Sequence, residues 1–81
     1  MKTFARTVRR IDARWVNHEI GVRLRKQRVK KGLTLAQVGI GLGVSRAAVN
    51  NWELGNQENF VVTTLYNLAL FYGVSVKSLL P

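Results

Sequence analysis

Arg46, Ala47, Asn50 and Asn51 are the residues of this chain whose types and spacing best suit molecular recognition. They lie in the segment SRAAVNNWELG, where Val49 and Trp52 fall three apart and so share one helical face. Packing that face inward leaves the Arg, the Ala and both Asn on the outside. An Arg fork matches the acceptor edge of guanine, and an Asn amide matches the mixed edge of adenine. An Ala methyl offers an apolar contact, for example to a thymine methyl. Two plainer uses stay open: Arg46 can bind phosphate alone, and Asn50 can simply be solvated.

Other chemistries find less support. The chain has one His, no Cys and four acidic residues, and no pair of carboxylates stands at a catalytic spacing. No enzyme activity is expected, and no cofactor or metal. His18 lies on an apolar stripe, where a packed or solvated imidazole is the expected state. Gly39, Gly41 and Gly43 alternate inside a helical pattern with no strand before them, so they do not form a phosphate-cradling loop. The missing cysteines exclude disulfides and fit a reducing cytosol. No apolar run reaches the length of a membrane span, and the Arg-rich start lacks the apolar core of a secretory signal. A cytoplasmic location is therefore expected.

The elements that would position these residues are all helical. Thr34 is an N-cap for a helix over Leu35 to Leu42, and Gly43 is its left-handed stop. Ser45 caps the helix carrying Arg46 to Glu53. Upstream, Ile20 to Lys31 reads as a helix with Ile20, Leu24 and Val29 inside, ended by Gly32, with Leu33 stapling the next entry. After Gly55 comes a polar loop, Asn56 to Asn59. Thr63 or Thr64 would cap a helix over Leu65 to Tyr72, whose core spacing is Leu65, Leu68, Ala69 and Tyr72. Gly73 stops it, and Ser75 caps a last short helix bearing Val76, Leu79 and Leu80. With 81 residues, 47% of them hydrophobic, this is one small globule.

Residues 1–18 stand apart as a basic helix or arm before the module at 19–81, the helix being either separate from the next one or continuous with it. Phe4, Val8, Ile11, Trp15, His18 and Val22 recur at alternating steps of four and three, with the arginines mostly off that stripe. The domain core, a second subunit or a protein partner must cover the apolar edge. A basic arm that orders only on DNA is the alternative. Formal charge is +9, and all of the 13 Lys and Arg except Arg46 and Lys77 precede Gly32. Such a distribution is the footprint of phosphate binding. A solvated charged face and an anionic membrane surface are the competing readings.

From about Ile20 to Leu80 the chain resembles the helix-turn-helix family of phage repressors and Cro proteins, the XRE family. The resemblance rests on Gly32-Leu33-Thr34, Leu42-Gly43-Val44-Ser45-Arg46, Val49, Trp52-Glu53 and Gly55. Leu65, Leu68-Ala69, Gly73-Val74-Ser75 and Leu79-Leu80 complete it. It implies an all-α, five-helix repressor/Cro-like domain, here with an added N-terminal amphipathic helix or arm. It implies a homodimer on a palindromic operator, with Leu79 and Leu80 as interface candidates beside the N-terminal stripe. The third helix would enter the major groove and bring Arg46, Ala47, Asn50 and Asn51 to base edges. Phosphate contacts would come from Arg23, Lys26, Lys30, Lys31, Thr34, Leu35, Ser45, Asn56 and Gln57. Arg28 and Glu53 would form a structural ion pair that holds the third helix.

Three departures from the family pattern matter. Leu35 stands where relatives often carry Gln, so only backbone N–H groups remain there for phosphate. Gly39 and Gly41 each cost roughly 0.8–1 kcal/mol against Ala in a helix interior. Close packing against the third helix would account for Gly39; nothing in the sequence accounts for Gly41. Ile40 faces outward, and Phe4 or Trp15 is expected to cover it. Leu54 replaces a frequent Asn, leaving Asn56 or Gln57 to supply that contact. The expected function is a sequence-specific transcriptional regulator, a repressor by resemblance, bacterial or phage-encoded and nucleoid-associated when bound. The alternative is a protein-interaction module, such as an antitoxin or coactivator-like adaptor, docking through Phe4, Val8, Ile11 and Trp15. No effector-binding or self-cleaving domain is expected within these residues.

Overall fold

The computed structural model describes residues 12–57 and 60–81. Phe4, Val8, Ile11 and the basic residues before Asp12 lie outside that range. Among the described residues five helices follow one another: α1 Ala13–Lys30, α2 Leu35–Leu42, α3 Arg46–Leu54, α4 Val62–Tyr72 and α5 Val76–Leu79. No strand occurs among the described residues.

Local chemistry fixes most of the boundaries. Asp12 caps α1 by accepting the Arg14 backbone N–H at 2.9 Å. The helix closes where the N–H groups of Gly32 and Leu33 return to the carbonyls of Val29 and Arg28. Thr34 and Gln37 form a reciprocal capping box at the start of α2, at 3.1 and 2.8 Å. Gly43 then turns the chain at φ 71°, a left-handed conformation that costs a residue with a Cβ roughly 1–2 kcal/mol. Ser45 opens α3 by accepting from the Ala48 N–H at 3.0 Å, and Ser75 opens α5 on the Ser78 N–H in the same way.

The core gathers Ile20 and Leu24 from α1, Val38 from α2 and Val49 from α3, with Leu65, Leu68, Ala69 and Tyr72 of α4 and Leu79 of α5. Leu33, Leu35, Trp52, Phe60 and Phe71 pack around it. The Tyr72 ring meets Phe71 edge-on, with centroids 5.2 Å apart. Burial of this kind supplies the main driving force for so small a domain.

Several sequence expectations need correction. Val29 is 59% exposed and lies outside the core. At about 100° per residue it stands roughly 140° around α1 from Leu24, and Arg28 takes the inward position instead. Helix α4 begins at Val62 behind Val61, with no side-chain cap, so Thr63 and Thr64 lie within it. Gly41 does have a packing reason, because a Cβ there would run into the Phe71 ring. Leu79 is wholly buried in its own chain's core, which leaves only Leu80 of that pair for a partner. Helix α1 runs unbroken from Ala13 across 18/19, the continuity that the N-terminal stripe also allowed. Ile40 is 82% exposed, so Trp15 does not cover it; Phe4 lies outside the described residues.

Candidate nucleic-acid interface

α3 is held from behind and open in front. Its rear is Val49, buried in the core, and Trp52, packed against it. At its C-terminal end the contact with α1 runs backbone to backbone. A Cβ on Gly21 would lie 2.6 Å from the Trp52 carbonyl oxygen, and one on Gly55 only 2.9 Å from His18 Cα. The end of α3 therefore rests directly on α1. At Gly21 and Gly55 there is no room for a side chain.

Arg28 and Glu53 lock this contact. The guanidinium donates from Nε to Glu53 Oε2 at 2.7 Å and from Nη2 to Oε1 at 2.9 Å. A third donation, from Nη1 to the Leu33 carbonyl at 3.0 Å, ties in the entry to α2. The two side chains are only 15% and 5% exposed, so the bidentate pair is largely desolvated. The hydrogen bonds to Glu53 push the Arg28 pKa above its ordinary value. Tyr72 lies close enough to feel both charges. Burial pushes its phenol up to about 12, with the Glu53 charge adding to the effect.

The front of α3 carries Arg46, Ala47 and Asn51, all exposed, with Asn50 half-buried beside them. Among the described residues, no hydrogen bond or ion pair engages the side chains of Arg46, Asn50 or Asn51. Their donors and acceptors are thus left for a partner, on a rigid helix. Exposed Lys26, Lys30 and Lys31 stand on the last turns of α1, and Lys31 is its C-cap.

The remaining phosphate candidates divide. The Leu35 N–H lies in the first turn of α2, where backbone donors have no helical acceptor. Ser45 accepts from Ala48 through Oγ, which leaves its hydroxyl proton to donate outward. Asn56 is exposed. Three others are turned elsewhere. The Thr34 N–H donates to Gln37 Oε1 at 2.8 Å, so a phosphate would have to open the capping box to reach it. Arg23 folds back along α1 onto Glu19, donating to its carboxylate at 2.9 Å and to its carbonyl. Gln57 faces inward: its carbonyl accepts from Asn17 Nδ2 at 2.7 Å and its own amide nitrogen is buried.

Sequence reasoning missed the clasp from Asn17 to Gln57 and the seat at Gly21. Asn17 and Gly21 lie one helical turn from Ile20 and Leu24, so the inner face of α1 was broad enough to include them. Gln37 was legible as well, since Thr-x-x-Gln before an apolar run is a capping signature. No group of His, Cys, Asp and Glu among the described residues could hold a metal ion. No described helix is long and apolar enough to cross a membrane.

Over this same stretch of chain, the family model named Helix-turn-helix matches residues 24–79. The chain belongs to the helix-turn-helix family. It is of the XRE type, a family of DNA-binding regulators. The crystal structure of the DNA-binding domain of BldD is similar to this helix-turn-helix domain with a TM-score of 0.75 and 33% identity, over 83% of this chain and 96% of that one. Hydroxypropylphosphonic acid epoxidase from S. wedmorenis is also similar, with a TM-score of 0.76 and 24% identity over 82% of this chain. This domain covers only 35% of the epoxidase chain, and that likeness shows the fold alone. No curated protein matches the sequence.

Proposed function

We propose that this domain is a sequence-specific transcriptional regulator that reads the major groove of double-stranded DNA with α3. The observation that carries the reading is the contrast across α3. Arg46, Ala47 and Asn51 stand free in front, while Arg28, Glu53 and Gly21 fix the helix behind. Such preorganisation lets side chains engage base edges without first losing freedom. Arg46 suits guanine, Asn51 and Asn50 suit adenine, and Ala47 suits a thymine methyl. Lys26, Lys30, Lys31, the Leu35 amide, Ser45 and Asn56 anchor the phosphates and set the register.

A homodimer acting as a repressor on a palindromic operator is the form this function takes, by resemblance to the family. Two copies related by a two-fold axis would present two α3 helices to half-sites about one helical turn apart. The test compares binding to a selected duplex with binding to random duplex for Asn51→Ala. Selective loss on the selected duplex supports base reading by α3; equal loss on both removes Asn51 from the reading set.

A further inference from the structure

Where the front of α3 ends, with Leu54 one turn beyond Asn50 and Asn51, a groove of about 550 Å³ runs between the outer edge of α1 and the C-terminal end of α3. Val22, Val29 and Leu54 form its apolar part and are 47%, 59% and 56% exposed. His18, Arg25 and Lys26 rim it. Glu53 also borders the groove, but Arg28 already occupies its carboxylate, which is 5% exposed. Among the described residues the groove therefore offers three bare aliphatic side chains from two elements, framed by cations and with no free anion.

We propose that this groove docks an acidic amphipathic helix of a protein partner. Val22 and Val29 are seven residues apart on α1, a separation of about 10 Å that matches the i to i+7 spacing of apolar residues on a second helix. Carboxylates flanking that apolar ridge would meet Arg25, and Lys26 in place of the phosphate assigned to it above, which is the charge complementarity that guides docking. A second copy of this chain fits less well, because pairing α1 with its like sets Arg25 and Lys26 against a face equally cationic. DNA supplies anions but no apolar ridge for Val22, Val29 and Leu54.

The test uses two synthetic amphipathic helical peptides with the same leucine stripe, one flanked by glutamates and the other by lysines. Each is titrated into the isotopically labelled full chain at low and high salt, and amide shifts are followed. The glutamate peptide is expected to shift residues along Val22, Val29 and Leu54, to weaken with salt, and to bind about tenfold or more weaker to Leu54→Glu. Arg25→Glu is expected to move the preference toward the lysine peptide. Both positions are on the surface, and thermal melting checks that the variants fold; Val22→Glu replaces any that does not. Equal binding of the two peptides would overturn the proposal, as would shifts centred on two other exposed aliphatic residues, Ile40 of α2 and Leu70 of α4. A concentration-dependent dimer that Leu54→Glu dissolves would assign the groove to a second copy and overturn it too.

Discussion

Arg28 and Asn51 show opposite uses of a polar side chain within one small domain. Arg28 is surrounded by acceptors and nearly withdrawn from water, so its value lies in what it holds. Arg28→Ala leaves Glu53 buried without a counter-charge and is expected to cost about 3–5 kcal/mol, measured by urea denaturation. A loss below about 1 kcal/mol would mean that water already solvates the pair. The Asn51 side chain makes no hydrogen bond or ion pair among the described residues. Its replacement by Ala is expected to leave the melting temperature nearly unchanged and to cost about 1–3 kcal/mol of binding on the selected duplex alone. Tyr72 adds a pH dependence. Its phenol is raised from 10.0 to about 12 in the folded state, so the neutral form is favoured there. That contribution is complete below pH 10 and is lost as pH rises toward 12. Stability is expected to fall across that window, and Tyr72→Phe to flatten the fall relative to wild type in alkaline denaturation curves.

The legibility of the elements depended on how local their determinants are. Thr34, Ser45 and Ser75 could be read as caps because each satisfies an N–H three residues on, a geometry contained in the sequence itself. The start of α4 could not be read in that way. Thr63 and Thr64 have the right chemistry, but the helix begins at Val62 with no side-chain cap, beside Phe60 packed on the core. Gly21 and Gly41 are invisible to local reasoning for the same cause: what they make room for lies on α3 and α4. The front of α3 was legible because the spacing of Val49 and Trp52 settles which side is buried. The inward setting of Gln57 was not legible, because its partner Asn17 is forty residues away. The glycine seats also differ in kind. Gly21 faces backbone carbonyls that cannot move aside, whereas Gly41 faces a side-chain ring. Gly21→Ala is therefore expected to lower the melting temperature far more than Gly41→Ala, although Ala favours a helix by about 1 kcal/mol at both. Equal melting temperatures would show that α1 and α3 can separate at little cost.

At the scale of the molecule, charge and shape divide the work. The excess of cations lies in the first part of the chain, while the α3 side chains proposed to read bases sit in a stretch that is balanced overall. Affinity and specificity should then separate experimentally. Replacing Lys30 and Lys31 by Gln is expected to weaken binding to every duplex and to lower the salt slope by about 0.9 for each phosphate no longer neutralised. The preferred sequence should stay the same. A changed preference would show that these lysines read bases.

Selection of bound duplexes from a random pool, followed by sequencing, tests the central claim most directly. Reading by two copies of α3 predicts enrichment of a two-fold-symmetric motif, with Asn51→Ala erasing preference at one position in each half. Salt-sensitive binding that enriches no motif would contradict it, and would leave the exposed face of α3 without the role assigned to it.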